Sequence, residues 1–321
     1  MTVLVLTRPE LEATADLVID ELNSRRIPVH RLDPGAFPES LGFSAAIGAG
    51  ADDWQGDVRG QYRDLRLEDV RAVYYRRPGP FRLHPRLAGP DARWADAEAR
   101  AGFGGILASL RCVWVNHPFR NAAADCQPLA LAAARRCGLA VPRTVVTNEP
   151  ETAREFVRSL PTGTAAYKPL GNAGPVGADG ETVAVWTSRV APDDITDAVA
   201  RTAHLFQEWI DKAFEVRLTA VGSRVFASEI HAGSPESRID FRRDYGSLTY
   251  RICPVPAPVA AGVRALMNTF ALNYVALDFL VDAGGSWFLV DVNPNGQYAF
   301  VPDLLSPITH ALADLLEGKA P

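Results

Sequence analysis

The sequence predicts a protein that combines α/β and α+β architecture, and three observations support this fold class. The chain opens with a strand, a helix and a second strand, over Val3–Leu6, Leu11–Leu22 and Pro28–Leu32, which is typical of a small α/β domain. The segment Phe214–Val221 alternates in polarity and indicates a strand with one buried face. Two short apolar runs, Ala276–Val281 and Trp287–Val292, flank a Gly-rich turn and indicate a β-hairpin.

Bulk composition excludes several classes of protein. The chain has 321 residues, 47% hydrophobic and 22% charged, which suits a soluble enzyme of two or three domains. The net charge of −5 argues against a general nucleic-acid binder. No apolar run approaches the ~18 residues of a membrane span, and no signal peptide is expected. Four cysteines without metal-ligand spacing are typical of reduced thiols, so a cytoplasmic location is expected, and six scattered histidines argue against a zinc site.

The predicted hairpin places two acidic residues opposite each other. Gly284-Gly285 suits a two-residue turn, in which Ala283 pairs with Ser286. That register pairs Asp278 with Asp291, and the period of two puts Asn293 on the same face.

Carboxylates opposed in this way lie ~5 Å apart and repel each other. A bridging divalent cation removes the repulsion, and two carboxylates with one amide oxygen suit Mg²⁺. The alternative is a hairpin with one solvated face. The Asn293-Pro294-Asn295-Gly296 segment breaks the strand at once and exposes its end, which favours a site.

Two further strand ends carry basic residues. The strand Ala165–Lys168 runs into a Gly-rich loop, Pro169–Gly177, whose amides can approach phosphate, although flexible turns have the same composition. Lys168 is one of only three lysines, with Lys212 and Lys319. Arg76 and Arg77 end the strand Val70–Arg77, where they would grip an acidic substrate or form an exposed basic turn.

The remaining elements follow from periodicity and from turn residues. We expect helices over Trp94–Leu110, Asp125–Cys137, Pro150–Leu160, Pro258–Phe270 and Ser306–Leu316, strands over Val113–Val115, Val141–Val146, His204–Ile210 and Arg224–Ile230, β-like pieces near Phe43–Ile47 and Gly60–Leu65, and a loop over Ser237–Tyr245.

Taken in order, these signals resemble the ATP-grasp superfamily over roughly residues 116–316. The signals are Lys168 with its Gly-rich loop, the Gln207-Glu208-Trp209-Ile210 segment, and Asp278 followed by Asp291-x-Asn293. The resemblance implies an N-terminal Rossmann-like pre-ATP-grasp domain (1–116), a central subdomain with the Gly-rich loop (117–206) and a C-terminal subdomain with the Mg²⁺ site (207–321). ATP would lie between the last two.

The resemblance also implies roles for single residues. Lys168 would contact the phosphates, Gln207–Ile210 would form the hinge that reads adenine, and Glu215 would hold the ribose. Asp278, Asp291 and Asn293 would carry Mg²⁺. Two positions depart from the usual pattern: Asp291 stands where most relatives carry Glu, and Gln127 stands where a second ATP-binding lysine is usual.

Three motifs resemble one branch, the graspetide synthetases that modify ribosomal peptides, especially the actinobacterial type. These are Tyr74–Pro78, Asp240-Phe241-Arg242 and Asp291–Gln297. The resemblance implies a macrocyclase that activates Asp or Glu side chains of a precursor peptide as acylphosphates and joins them to Thr, Ser or Lys. It also implies a homodimer.

Within that resemblance, Arg217 and Arg242 would stabilise the transferred phosphate and Asp240 would act as a base. Arg76, Arg77, Asp240 and Arg242 would hold the peptide, which has a leader and a core. Glu215 and Arg217 share a strand face and would otherwise form a surface ion pair. Two other functions stay open: a ligase of the glutamate-ligase type, and a nucleotide- or peptide-binding pseudoenzyme in which Gln127 marks lost turnover.

Overall fold

A computed structural model describes residues 1–8, 12–48, 50–171 and 185–319. Most of the predicted Gly-rich loop, residues 172–177, lies outside the described residues. The described strands are β1 (Thr2–Thr7), β2 (Val29–Leu32), β3 (Gly42–Gly48), β4 (Ala51–Arg59), β5 (Asp64–Arg66), β6 (Val70–Arg76), β7 (Val113–Val115), β8 (Thr144–Thr147), β9 (Ala165–Lys168), β10 (Ser188–Val190), β11 (His204–Glu208), β12 (Lys212–Val221), β13 (Arg224–His231), β14 (Thr249–Ile252), β15 (Tyr274–Asp282) and β16 (Trp287–Asn293).

The described α-helices pack around these strands. They are α1 (Ala13–Ser24), α2 (Gly89–Ala99), α3 (Gly105–Ala108), α4 (Pro118–Asp125), α5 (Gln127–Arg136), α6 (Pro150–Arg158), α7 (Pro235–Ile239), α8 (Ala257–Phe270) and α9 (Pro302–Glu317). Among the described residues, no helix combines the length and apolarity needed to cross a bilayer.

The N-terminal sheet is parallel, with strand order β2-β1-β6-β7, and both of its faces are covered. Val3 and Val5 of β1 pack in one core with α1 and α9, whereas Leu4 and Leu6 pack in a second core with the small β3-β4-β5 sheet and Phe103. A parallel strand that is buried on both faces needs an unbroken apolar run, which explains the opening sequence.

The closing helix α9 belongs to the core of the N-terminal sheet. Leu304, Ile308 and Leu312 of this helix pack in the same cluster as Val3 and Val5. The chain therefore returns to its first strand after it has built the other three sheets.

Two larger antiparallel sheets form the rest of the molecule. The central sheet has the order β10-β9-β11-β8 and is covered by α6, and the C-terminal sheet has the order β14-β13-β12-β15-β16. One face of the C-terminal sheet packs against α4, α5 and α8 through residues such as Leu218, Leu277 and Phe279. Arg217 and Asp278, one position away on their strands, point to the opposite face.

Two predicted helices are interrupted. The helix predicted over Asp125–Cys137 is two helices, because Cys126 is extended and α5 restarts at Gln127. Pro128 lacks the N–H that a continuous helix requires, but it is tolerated in a first turn. The helix predicted over Trp94–Leu110 begins earlier, at Gly89, and passes through a π-turn at Arg100–Gly104.

Two other predictions need smaller corrections. The strand predicted over His204–Ile210 ends at Glu208, so Trp209 and Ile210 connect β11 to β12. The predicted loop Ser237–Tyr245 contains the end of α7 and a 3₁₀ turn at Phe241–Arg243, because the Ser234 and Asp240 side chains cap these turns.

The packing of α9 can be tested by truncation of one leucine. Leu312→Ala is expected to lower the free energy of unfolding by about 2–5 kcal/mol, because Leu312 is 0% exposed and its removal leaves a cavity. Leu129→Ala is the matched control, because Leu129 is also helical but 43% exposed. Urea unfolding measures both variants, and equal losses would contradict the shared core.

Candidate active site

The hairpin of β15 and β16 pairs Asp278 with Asp291, as predicted. The register is reached by a different route, because the turn is one residue longer than predicted. Asp282 N donates to Ser286 O at 3.2 Å, and Gly285 adopts a positive φ of 80°. An extra residue in β16, Val290, then shifts the register back. Such a bulge lets the two acids face each other despite the longer turn.

The bulge also presents the carbonyl of Val290 to two side chains from the central part of the chain. Gln127 Nε2 donates to this oxygen at 3.0 Å, and Lys168 Nζ lies 3.4 Å from it. Gln127 therefore binds the backbone of the predicted metal strand.

A cleft between the central and C-terminal sheets collects most of the predicted site. The predicted residues that line it are Gln127, Lys168, Gln207, Glu208, Trp209, Ile210, Glu215, Asp240, Arg242, Asp278, Asp291 and Asn293. Other residues that line the cleft had not been predicted as site residues, among them Asp125, Thr187, Lys212 and Leu280. The rarity of lysine was the available signal for Lys212.

The two acids of the hairpin differ in their surroundings. Arg217 forms a two-pronged ion pair with Asp278, with Nε–Oδ1 at 2.6 Å and Nη2–Oδ2 at 3.1 Å. In the described part of the chain, no protein group hydrogen-bonds the carboxylate of Asp291. Burial and the neighbouring charge of Asp278 raise the pKa of Asp291 to about 6. A cation at this point would relieve both effects.

The donor chemistry of this end of the cleft suits Mg²⁺. Two carboxylates and the amide oxygen of Asn293 line it, all of them hard oxygen ligands. The described residues contain no cluster of three or more His, Cys, Asp or Glu side chains that suits a metal. A complete coordination shell for Mg²⁺ would therefore need Asn293 and oxygens from water or nucleotide.

Arg217 lies behind the acids rather than in the cleft. Its third donor, Nη1, binds the carbonyl of Gln297 at 3.0 Å, and its guanidinium lies 5.1 Å from the ring centroid of Phe300. Burial opposes its charge, but the Asp278 carboxylate outweighs this effect and raises the pKa of Arg217. The surface ion pair between Glu215 and Arg217 does not form.

Lys168 and Glu215 are held at separate points of the cleft. Lys168 Nζ donates to Gln207 Oε1 at 2.8 Å, and Gln207 in turn donates to Thr144 Oγ1 at 3.0 Å. Burial lowers the pKa of Lys168, although nearby carboxylates oppose this effect. Glu215 pairs with Lys212 Nζ at 2.7 Å, and burial raises the pKa of Glu215.

Asp240 and Arg242 form a compact pair at the opposite wall. Arg242 donates to both carboxylate oxygens, at 2.8 and 2.6 Å, and Thr187 N donates to Oδ2 at 3.3 Å. Burial tends to raise the pKa of Asp240, but its bonds to Arg242 outweigh this and hold the pKa below its ordinary value. A carboxylate with a low pKa is a weak base, so the pair suits recognition better than proton removal.

The prediction that Arg76 holds the substrate peptide is wrong. Arg76 is only 2% exposed, and it donates to Glu12 Oε1 at 3.1 Å and to Thr14 Oγ1 at 2.8 Å. Its Nη1 binds the carbonyl of Asn295. Because β6 ends inside the molecule, this side chain joins two parts of the protein and has no access to a peptide. Arg77 is half-buried, with Nη2 3.2 Å from the same carbonyl, and its role stays a prediction.

Comparison with known proteins agrees with this geometry. Residues 2–121 match the family described as the MvdD pre-ATP grasp domain. Macrocyclase MdnC from Microcystis aeruginosa MRC, crystallised with precursor peptide MdnA, superposes with a TM-score of 0.85 at 26% identity, over 99% of this chain and 100% of that one. The chain is therefore similar, over nearly its whole length, to ATP-grasp enzymes that modify ribosomal peptides. The predicted ATP-grasp fold with an N-terminal pre-ATP-grasp domain is therefore confirmed.

Two further structures support the same fold for this ATP-grasp protein. A Chryseobacterium gregarium ATP-grasp ligase associated with ribosomally synthesised, post-translationally modified peptides, in complex with ADP and a leader and core peptide, has a TM-score of 0.89 at 24% identity, over 100% of this chain and 97% of that one. Macrocyclase MdnB from Microcystis aeruginosa MRC has a TM-score of 0.79 at 25% identity, over 98% of each chain. No curated protein sequence matches the chain.

The two acids of the hairpin should respond in opposite directions to the same substitution. Asp278→Asn removes the charge that pairs with buried Arg217, so the free energy of unfolding should fall by about 3–5 kcal/mol. Asp291→Asn removes a repelling charge, so stability should stay the same or rise. Urea unfolding at neutral pH with a chelator measures both variants. A larger loss in Asp291→Asn would contradict the assignment of Arg217 to Asp278.

Proposed function

We propose that this protein is an ATP-dependent peptide macrocyclase. The observation that carries the proposal is the cleft in which Lys168, Asp278, Asp291 and Asn293 face one another between two antiparallel sheets. The likeness of the whole chain to macrocyclases crystallised with precursor peptides supports the peptide substrate.

In this proposal, different walls of the cleft bind different parts of the nucleotide. Lys168 supplies a positive charge for phosphate, and the segment Gln207–Ile210 supplies the wall against the base. Glu215, held by Lys212, supplies an acceptor for ribose hydroxyls. Asp278, Asp291 and Asn293 hold Mg²⁺, which when bound offsets the negative charge of the phosphates.

The reaction activates one side chain of the peptide and couples it to another. An Asp or Glu carboxylate of the peptide attacks the γ-phosphate of ATP, which gives an acylphosphate and ADP. A Thr or Ser hydroxyl, or a Lys amine, then attacks the acyl carbon and releases phosphate. Each turnover converts one ATP to ADP and phosphate and removes the elements of one water from the peptide.

Arg242 is the residue of the cleft best placed to receive an acidic peptide side chain. Asp240 fixes its guanidinium on one side and the ring of Trp186 lies 5.6 Å away on the other. Almost half of the Arg242 side chain remains exposed, so it can still bind a carboxylate. In this proposal Arg242 orients the peptide, and Asp240 holds the Arg242 guanidinium in place.

We also propose a cytoplasmic location and a homodimer. The four cysteines are unpaired, which suits a reducing compartment. The homodimer is inferred from the family resemblance alone.

The activity can be tested with a synthetic precursor peptide that contains Thr together with Asp or Glu. We expect peptide-stimulated ADP release and a product that has lost one water per new bond, both measured by mass spectrometry and a coupled ADP assay. Asp291→Asn should abolish both signals. Asp282→Asn is the control, because Asp282 lies on the same hairpin outside the cleft.

Each alternative result has a separate meaning. A product that gains the mass of an added amino acid would show ligation instead of cyclisation. Failure of the peptide to stimulate ADP release would contradict the enzyme and favour a binding protein.

The presence of Gln127 in the cleft leads to a separate prediction. Gln127→Lys would place a second ammonium beside Lys168, because both side chains now reach the carbonyl of Val290. Charge-assisted bonds to phosphate are stronger than neutral ones, so the KM for ATP should fall several-fold. Steady-state kinetics with Gln127→Met as the comparison measure this effect. An unchanged KM would place residue 127 outside the phosphate site.

A further inference from the structure

The loop that follows the predicted metal strand is held by side chains at every residue. The 294–297 loop comprises Pro294, Asn295, Gly296 and Gln297, and each of its carbonyls accepts a hydrogen bond from a side chain. The donors, in loop order, are Asn116 at 3.1 Å, Arg76 with Arg77, Tyr274 at 2.7 Å, and Arg217 at 3.0 Å. A surface loop does not require such complete pairing.

The donors come from two different parts of the molecule. Arg76 and Arg77 lie at the end of β6 in the N-terminal sheet, and Asn116 follows β7 in the same sheet. Tyr274 and Arg217 lie in the C-terminal sheet. The 294–297 loop is therefore the point at which the first domain contacts the strand that carries Asp291 and Asn293.

Arg76 is the central member of this group. It is almost fully buried, and it contacts two loop carbonyls, those of Asn295 and Gly296. Glu12 balances its charge at 3.1 Å, and Gln297 Nε2 donates to the same carboxylate oxygen at 2.9 Å. A buried charge is costly unless it is paired, so this arrangement indicates a geometric role for the arginine.

The loop in turn fixes a predicted metal ligand. Asn295 N donates to Asn293 Oδ1 at 3.0 Å, so the position of residue 295 sets the direction of the Asn293 amide. The backbone also packs tightly at Gly296, where an added Cβ would lie 2.3 Å from Ala276 Cβ. Any movement of the 294–297 loop would therefore also move Asn293.

We propose that Arg76 is a positioning residue that holds the 294–297 loop and, through it, orients Asn293 for Mg²⁺–nucleotide. This inference rests on the proposed function, because it concerns the metal of the same cleft. Arg76 does not touch substrate, and its side chain acts through the carbonyl of Asn295. The N-terminal domain thereby contributes to a metal site that lies on the C-terminal sheet.

The test measures binding of Mn²⁺ with ADP in the absence of peptide, by electron paramagnetic resonance of free Mn²⁺. Arg76→Met should weaken Mn²⁺ binding by about 10- to 100-fold, the range found when a residue that orients a metal ligand is lost. Arg76→Lys keeps the charge beside Glu12 but cannot bridge two carbonyls, so it should show a smaller loss. Binding of ADP without metal should not change in either variant.

Arg25→Met is the matched control. Arg25 also forms an ion pair, with Asp314 of α9 at 2.6 Å, and no hydrogen bond joins it to the 294–297 loop. This variant should lose stability and retain the Mn²⁺ affinity of the wild type. If Arg76→Met fails to fold by circular dichroism, the Arg76→Lys variant decides the question.

Kinetics with peptide separate this role from direct peptide binding. Loss of loop position should raise the Mg²⁺ concentration needed for half-maximal rate and leave the KM for peptide unchanged. Wild-type Mn²⁺ affinity in both Arg76 variants would overturn the positioning role alone. If the wild type itself does not bind Mn²⁺ with ADP, the proposed function fails and the role of Arg76 falls with it.

Discussion

The site depends on how the fold accommodates two like charges side by side on neighbouring strands. Asp278 and Asp291 face each other across β15 and β16, and a buried carboxylate without a counter-charge is unfavourable. Arg217, opposite Asp278 on β12, satisfies one acid from behind the cleft. In the proposed function an external cation would neutralise the other acid, so the asymmetry of the pair would create the binding site.

The need to hold charges in fixed positions explains why so many polar and charged side chains line the cleft. Three cationic side chains, Lys168, Lys212 and Arg242, line the cleft from other strands and turns, but each is already engaged by Gln207, Glu215 or Asp240. The positions of these cationic side chains are held by protein partners before a ligand binds, which is the condition for electrostatic preorganisation in catalysis. Little rearrangement of the walls is then needed when charge develops on a phosphate.

Much of this arrangement could be predicted from the sequence, because strand registers obey simple rules. The opposition of Asp278 and Asp291 follows from the alternation of a hairpin, even though a longer turn and a bulge at Val290 compensate each other in a way that no local rule foresees. The strand end at Lys168 likewise follows from an apolar run that stops abruptly, whereas the hinge role of Gln207–Ile210 came from the family resemblance and stays a prediction.

The misplaced residues are those whose environment depends on distant parts of the chain. Arg76 ends a strand in a basic dipeptide, which locally looks like an exposed turn. Only the packing of the 294–297 loop against that strand end shows that the arginine is buried. The helix break at Cys126 could have been predicted from Pro128. The pairing of Arg217 with Asp278 could not be predicted without the order of strands in the sheet.

The return of α9 to the first strand has a consequence for biosynthesis. During translation β1, β2 and β6 leave the ribosome long before residues 302–317, yet one face of their sheet is completed only by that helix. Domains usually fold as they emerge, N-terminal part first. Here the strands of the first sheet keep apolar side chains uncovered until residues 302–317 have been made, so this sheet is completed after the central and C-terminal sheets.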